Sequence, residues 1–121
     1  MSNNIIKLNR GDTYSLEYSI PNNNSTYYLG IDEALYFAIM YPHQRFEEAI
    51  LLYGYTHEDQ NVDNGTFTIK IPASVSRNLA PGIYYYTIKL KRGGNLESLN
   101  DYDDPIELRT LVERTKLIIN E

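Results

Sequence analysis

The sequence predicts an all-β fold, an antiparallel β-sandwich of about seven strands, on three observations. Apolar and polar residues alternate with a period of two along most of the chain, which is the pattern of half-buried strands. Turn-forming residues interrupt that alternation at near-regular intervals. Tyrosine, which favours strands, occurs 12 times against three Phe and no Trp.

The alternation places the strands in chain order. The clearest strand is 14–20, which ends at a loop rich in Pro and Asn. A second clear strand follows the tight-turn signal Asn64-Gly65 and ends at Pro72. Together with two short C-terminal apolar runs, the predicted strands cover 6–8, 14–20, 35–40, 67–71, 84–90, 106–112 and 116–119.

Three segments need a separate interpretation. Apolar residues in 46–56 fit both a helical and an alternating spacing, and we interpret this segment as a strand. Residues 74–79 are predicted to form one helical turn capped by Ser74. Arg10-Gly11-Asp12 interrupts the alternation between the first two strands, so we interpret it as a bend in the chain rather than an adhesive loop.

Short strands, regular turns and almost no helix favour a sandwich of immunoglobulin-like type, with a small closed barrel as the alternative. A chain of 121 residues is long enough for one hydrophobic core. It contains no internal repeat and no linker-like change in composition. We therefore expect a single domain over residues 1–121.

Composition excludes several classes of function. Lys and Arg number 11 against 16 Asp and Glu, which gives a net charge of −5 and argues against nucleic acid and anionic membrane as partners. The absence of cysteine excludes disulfides, thiolate metal sites and cysteine nucleophiles. The N-terminal residues do not resemble a signal peptide, and no apolar run approaches the ~20 residues that span a bilayer.

Little in the sequence points to catalysis. The two histidines, His43 and His57, lie in polar segments, and no Gly-x-Ser-x-Gly turn accompanies them. Acidic residues gather in 97–107 around Asp101, Asp103 and Asp104, but the spacing lacks the glycine and terminal glutamate of a calcium loop. We interpret 97–107 as a solvated loop and leave calcium binding open. The prediction is a protein without catalytic residues, cofactor or metal.

The tyrosines divide into two groups. One group shares strand faces with aliphatic residues and is predicted to pack in the core: Tyr14, Tyr18, Tyr84 and Tyr86. The other group lies in loops or on opposite strand faces and is predicted to be exposed: Tyr27, Tyr28, Tyr36, Tyr41, Tyr85 and Tyr102. Exposed tyrosines in this number indicate a surface that contacts another subunit or a sugar, with cross-strand pairing on an outer sheet face as the alternative.

Several segments together resemble a known layout. They are Arg10-Gly11-Asp12-Thr13, the strand 34–41, Phe67-Thr68-Ile69-Lys70-Ile71-Pro72, the run from Leu79-Ala80-Pro81-Gly82 into Tyr84, and Arg109-Thr110-Leu111-Val112-Glu113. This order resembles the amino-terminal domain of upper baseplate proteins and related tail or virion proteins of bacteriophages. The resemblance implies a non-enzymatic structural protein of the baseplate, tail, neck or capsid surface. It implies a chain made in the bacterial cytoplasm and assembled into the virion.

The resemblance also implies how such a protein works. Its partners are other virion proteins, and it forms a homo-oligomer or a symmetric array. Either the first strand or the terminal residues 117–119 could complete a neighbour's sheet by edge pairing. The candidate interface residues are Tyr27, Tyr28, Tyr36, Tyr85, Tyr102, Leu117 and Ile119. The alternative function is a carbohydrate-binding or adhesion module, for which Tyr102 among its acidic neighbours is the best candidate contact.

Overall fold

The structure, a computed structural model, describes residues 5–23, 25–93 and 107–121. Within these ranges it contains seven strands, two 3₁₀ turns and one short α-helix. The strands are β1 (Ile6–Asn9), β2 (Tyr14–Ser19), β3 (Glu33–Met40), β4 (Leu51–Tyr55), β5 (Thr66–Ile71), β6 (Gly82–Arg92) and β7 (Glu107–Asn120). The 3₁₀ turns are Phe46–Glu48 and His57–Asp59, and the helix is α1 (Ala73–Ser76).

The strands form two sheets. The larger sheet has five strands in the order β1-β7-β6-β3-β4, and the smaller sheet pairs β2 with β5. Neighbouring strands are antiparallel except β1 and β7, which run parallel with Ile6 opposite Leu117. In this order β1 and β4 lie at the two edges of the larger sheet.

The main core lies between the two sheets. Alternate residues of β3 and β5 point into it, among them Phe37, Ile39, Phe67 and Ile69, all of which are buried. Burying a side chain of this size contributes about 1.5–3 kcal/mol. The period-two pattern of the sequence is thus the pattern of residues that face this shared core.

The opposite face of β3 is buried as well. Ala34, Tyr36, Ala38 and Met40 form a second, smaller cluster, which Phe46 of the first 3₁₀ turn covers. All eight residues of β3 are therefore buried. This explains why the strand contains an unbroken run of apolar residues rather than an alternation with charges.

The prediction of a mostly β fold with seven strands is confirmed. The predicted core positions of Tyr84 and Tyr86 are confirmed too, while Tyr14 and Tyr18 pack half-buried against the core. Two local predictions are wrong in part. The segment 46–56, interpreted as a strand, is a 3₁₀ turn over Phe46–Glu48 followed by β4, so the alternation holds only over Leu51–Tyr55. The helical turn begins at Ala73 after Pro72, without a side-chain cap from Ser74.

The prediction of two C-terminal runs is wrong, because residues 107–120 form one strand. The register between β6 and β7 shifts twice, between Tyr86 and Ile88 and again between Ile88 and Lys89. Each shift adds a residue to β7 and changes which side chains face the core. The alternation breaks at these positions although the strand continues.

The Arg10-Gly11-Asp12 segment is a turn bonded to α1, as its interpretation as a bend requires. The buried Ser76 hydroxyl donates to the Asp12 carbonyl at 2.7 Å and accepts from the Gly11 amide at 3.1 Å. The Arg10 Nε–H donates to the Arg77 carbonyl at 2.9 Å. Gly11 has φ +91°, a conformation that favours glycine. The turn carries the chain from one sheet to the other.

Candidate functional site: the edge strand β4

The predicted interface tyrosines occupy different environments. Tyr28 is exposed, and Tyr27 and Tyr85 are half-buried. Tyr36 is only 3% exposed, so the expectation of an exposed ring is wrong there. It pairs with Gly54 of β4, whose missing side chain leaves room for the ring. Tyr102 lies outside the described residues.

Leu117 and Ile119 lie in the main core. Their segment is hydrogen-bonded on both sides, to β1 and to β6, so it cannot serve as the open edge that the sequence suggested. The expectation of a free edge fails at 117–119 because β1 already occupies that side. The first strand, by contrast, is an edge strand.

Both histidines have exposed side chains. The His43 ring stacks on Tyr41, with ring centroids 6.2 Å apart, and His57 begins the second 3₁₀ turn. Among residues 5–23, 25–93 and 107–121, no group of three or more His, Asp or Glu side chains is placed to hold a metal ion. Most of the acidic segment 97–107 lies outside these ranges, and its last residue, Glu107, is the exposed first residue of β7.

Gln60 is a buried polar residue that connects two loops. It is 6% exposed, and its Oε1 accepts from the Leu29 amide at 2.8 Å. Its Nε2 donates to the carbonyls of Tyr27 and Gly65, both at 2.8 Å. The side chain thereby gives a partner to three backbone groups, of which those of Leu29 and Gly65 are buried and that of Tyr27 is half-buried. Its role is to hold the loop before β3 against the loop before β5.

Glu33, the first residue of β3, makes a second buried polar contact. Its carboxylate accepts from the Gly30 amide at 2.7 Å and from the hydroxyl of Tyr27. Burial of Tyr27, its hydrogen bond to Glu33 and the negative charge of Glu33 together raise the pKa of Tyr27 to about 12. Both groups hold the loop before β3 in place, and neither points to chemistry on a substrate.

A shallow groove of about 460 Å³ crosses the outer face of the larger sheet. Its lining includes Met40, Phe46, Lys89 and Arg114. The Arg114 guanidinium donates to the carbonyls of the loop after β3, at 3.0 Å to Tyr41 and 2.8 Å to Pro42, and contributes further contacts to Gln44 and Met40. The Lys89 ammonium lies 4.5 Å from the centre of the Phe46 ring. These cations stabilise the loop and the turn that cover β3.

The edge strand β4 differs from the rest of the surface. It pairs with β3 on one side, and no strand of the described residues pairs with its other side. Residues 49–56 contain no charged residue and no proline, the two features that usually protect a sheet edge. Ile50 and Leu52 are exposed beside this open edge, with Leu52 42% exposed.

The other edge strands carry charges. Lys7 of β1, Glu17 of β2 and Lys70 of β5 are all exposed. A charged side chain on an edge opposes pairing with another sheet. Among the described strands, β4 is therefore the edge best suited to pair with a strand of another sheet. Sequence reasoning missed it because the alternation in 46–56 was ambiguous, although the uncharged run itself was visible.

No family model, curated protein or solved structure matches this chain. Within the described part of the chain, no helix has the length and apolar character needed to cross a membrane.

Proposed function

We propose that this chain is a non-enzymatic structural protein that works through protein–protein contacts, as a component of a bacteriophage virion. The observation that carries the proposal is the open, uncharged edge of β4 with exposed Ile50 and Leu52 beside it. A strand added there would gain main-chain hydrogen bonds and cover both apolar side chains. The virion setting rests on the resemblance in the sequence to baseplate and tail proteins.

Strand order supports the further proposal of an immunoglobulin-like domain. In that fold the seventh, sixth and third strands are neighbours, and variable-type domains add the next strand beside the third. The order β7-β6-β3-β4 has the same sequence of neighbours. The β2–β5 pair faces it across the core, as strands of the opposite sheet do in such a sandwich.

Particle association tests the assembly function. Cells that make the chain together with the phage that encodes it are lysed, and particles are purified on a density gradient. We expect the chain in the particle fraction at a fixed ratio to the other structural proteins, measured by mass spectrometry. A chain that stays wholly in the soluble fraction while particles form normally would overturn the proposal.

One observation favours carbohydrate binding as a second candidate. Tyr41 is exposed and stacks on His43 with an angle of 8° between the rings, which gives a flat aromatic surface. Aromatic faces of this kind pack on apolar surface and keep a polar group in water. Titration with cell-wall glycans, using Tyr41→Ala as the variant and Tyr28→Ala as the control, separates the functions. Saturable binding that only Tyr41→Ala abolishes would favour this candidate over assembly.

A further inference from the structure

We propose that the open edge of β4 pairs with β4 of a second copy of this chain, in antiparallel orientation about a two-fold axis. This inference rests on the proposed assembly function and adds the partner and the register. In such a pair the residue on the axis lies opposite its own symmetry mate, and every other residue lies opposite the residue equally far on the other side of the axis. Because β4 carries no charged residue, this pairing brings no like charges together within the strand.

The backbone of β4 presents the hydrogen-bonding groups that this pairing needs. The Ile50 amide donates to the Ile39 carbonyl at 2.9 Å, so it points toward β3. Ile39 lies directly opposite Leu51 and Phe37 directly opposite Tyr53, so Leu51 and Tyr53 form the hydrogen-bonded pairs with β3. Because the amides and carbonyls of successive residues alternate between the two sides of a strand, those of Leu52 and Gly54 point away from β3, to the open side. Two copies can exchange hydrogen bonds through these residues.

The side chains select the register. When Leu52 lies opposite Leu52 of the partner, Leu51 lies opposite Tyr53, and Ile50 lies opposite Gly54. The two exposed leucines then cover each other. Each Ile50 packs over a glycine, beside the Tyr36 ring that lies against that glycine from the neighbouring strand. The same register sets Glu48 opposite Thr56, which keeps the acidic residues that flank the strand apart.

Cross-linking tests the register directly, since the natural chain has no cysteine. Leu52 and its mate would form a directly opposite pair of the hydrogen-bonded type, whose Cα atoms lie about 5.5 Å apart in an antiparallel sheet, within the range that a disulfide spans. We expect Leu52→Cys to form a disulfide-linked dimer under mild oxidation. The control is Ile83→Cys, because Ile83 is 50% exposed but lies on β6, which is an interior strand of the sheet. Equal cross-linking of the two variants, or none at Leu52→Cys, would overturn the proposed pairing.

Sedimentation velocity across a concentration range gives an independent readout. We expect the chain to approach twice its monomer mass of 14.0 kDa as concentration rises. Leu52→Lys places two ammonium groups against each other and should raise the dimer dissociation constant at least tenfold, whereas Ile83→Lys should leave it unchanged. Matching curves for the two variants would contradict the inference. A chain that remains monomeric but still enters particles refutes the β4 pairing alone, and a chain that also fails to enter particles refutes the assembly function.

Discussion

Replacement of Gln60 by alanine is expected to be among the most destabilising polar substitutions in the described part of the chain. Its side chain satisfies the Leu29 amide and the carbonyls of Tyr27 and Gly65, each at 2.8 Å in a site that is 6% exposed. A buried backbone group left without a partner costs about 1–3 kcal/mol. The Leu29 and Gly65 groups are buried and the Tyr27 carbonyl is half-buried, so loss of their partner should lower the free energy of unfolding by about 2–6 kcal/mol, a large share of the stability of a small domain.

The assay is urea denaturation followed by far-ultraviolet circular dichroism, with an unchanged slope as the condition for comparing midpoints. Gln44→Ala is the matched control, because that glutamine accepts a single hydrogen bond, from the Tyr41 amide at 2.9 Å, at an exposed site. We expect the control to cost about 1 kcal/mol or less. A Gln60→Ala protein no less stable than Gln44→Ala would refute the assignment of Gln60 as the residue that holds the two loops together.

Gln60→Glu refines the same test through pH. The new carboxyl keeps an acceptor for Leu29 but faces the carbonyls of Tyr27 and Gly65, which repel its charged form. Its pKa in the folded state must therefore lie above its unfolded value of about 4.3. A raised pKa means that the folded state binds the proton more tightly, so the variant should regain stability relative to the natural chain as pH falls through that pKa. A deficit that is independent of pH would show that these carbonyls do not face the side chain.

Three other predictions concern local contacts and alkaline stability. Gly65→Ala should be strongly destabilising, because Gly65 has φ +72° and an added Cβ would clash with Thr26 Cγ2, and Thr26→Ser should partly rescue it. Gly11→Ala should cost only about 1 kcal/mol, because a Cβ added there meets open space. Tyr27→Phe should lower the free energy of unfolding by about 1–2 kcal/mol, because Glu33 loses a hydrogen-bond donor. Tyr18→Phe should be neutral or stabilising, because the buried Tyr18 hydroxyl has no partner among the described residues. Denaturation midpoints measure both variants. Burial raises the pKa values of Tyr18 and Tyr27 to about 12. Between about pH 10 and 12 these tyrosines ionise in the unfolded chain but stay protonated in the folded protein, so the free energy of unfolding should fall across that range. Tyrosinate absorbance that rises fully near pH 10 in the folded protein would contradict this.

The period-two pattern was sufficient to predict most strands because each strand has one face on the core. Tyr14–Ser19 and Thr66–Ile71 pair with each other in register along their whole length, and both were clear in the sequence. The pattern failed where geometry departs from a regular ladder. Two register shifts in β7 made one strand look like two runs, and a 3₁₀ turn before β4 mixed two periods in one segment.

The candidate site was harder to predict, because its character depends on neighbours. Alternation gives the faces of a strand but not its place in the sheet, so 117–119 looked like a free end although β1 covers it. Tyr36 looked exposed because nothing in the sequence places Gly54 beside it. Gln60 carried no signal, since a glutamine in a polar segment is usually solvated, and only the folded chain brings its three backbone partners together.

Particle incorporation of charged variants tests the central claim most directly. The natural chain, Leu52→Lys and Ile83→Lys are produced in separate infections, and the amount of each that sediments with purified particles is measured. Both substitutions replace an exposed aliphatic residue by lysine, so they differ mainly in their distance from the open edge of β4. We predict that the natural chain and Ile83→Lys enter particles equally and that Leu52→Lys is largely excluded. Incorporation of Leu52→Lys at the natural level would contradict the role of the β4 edge in assembly.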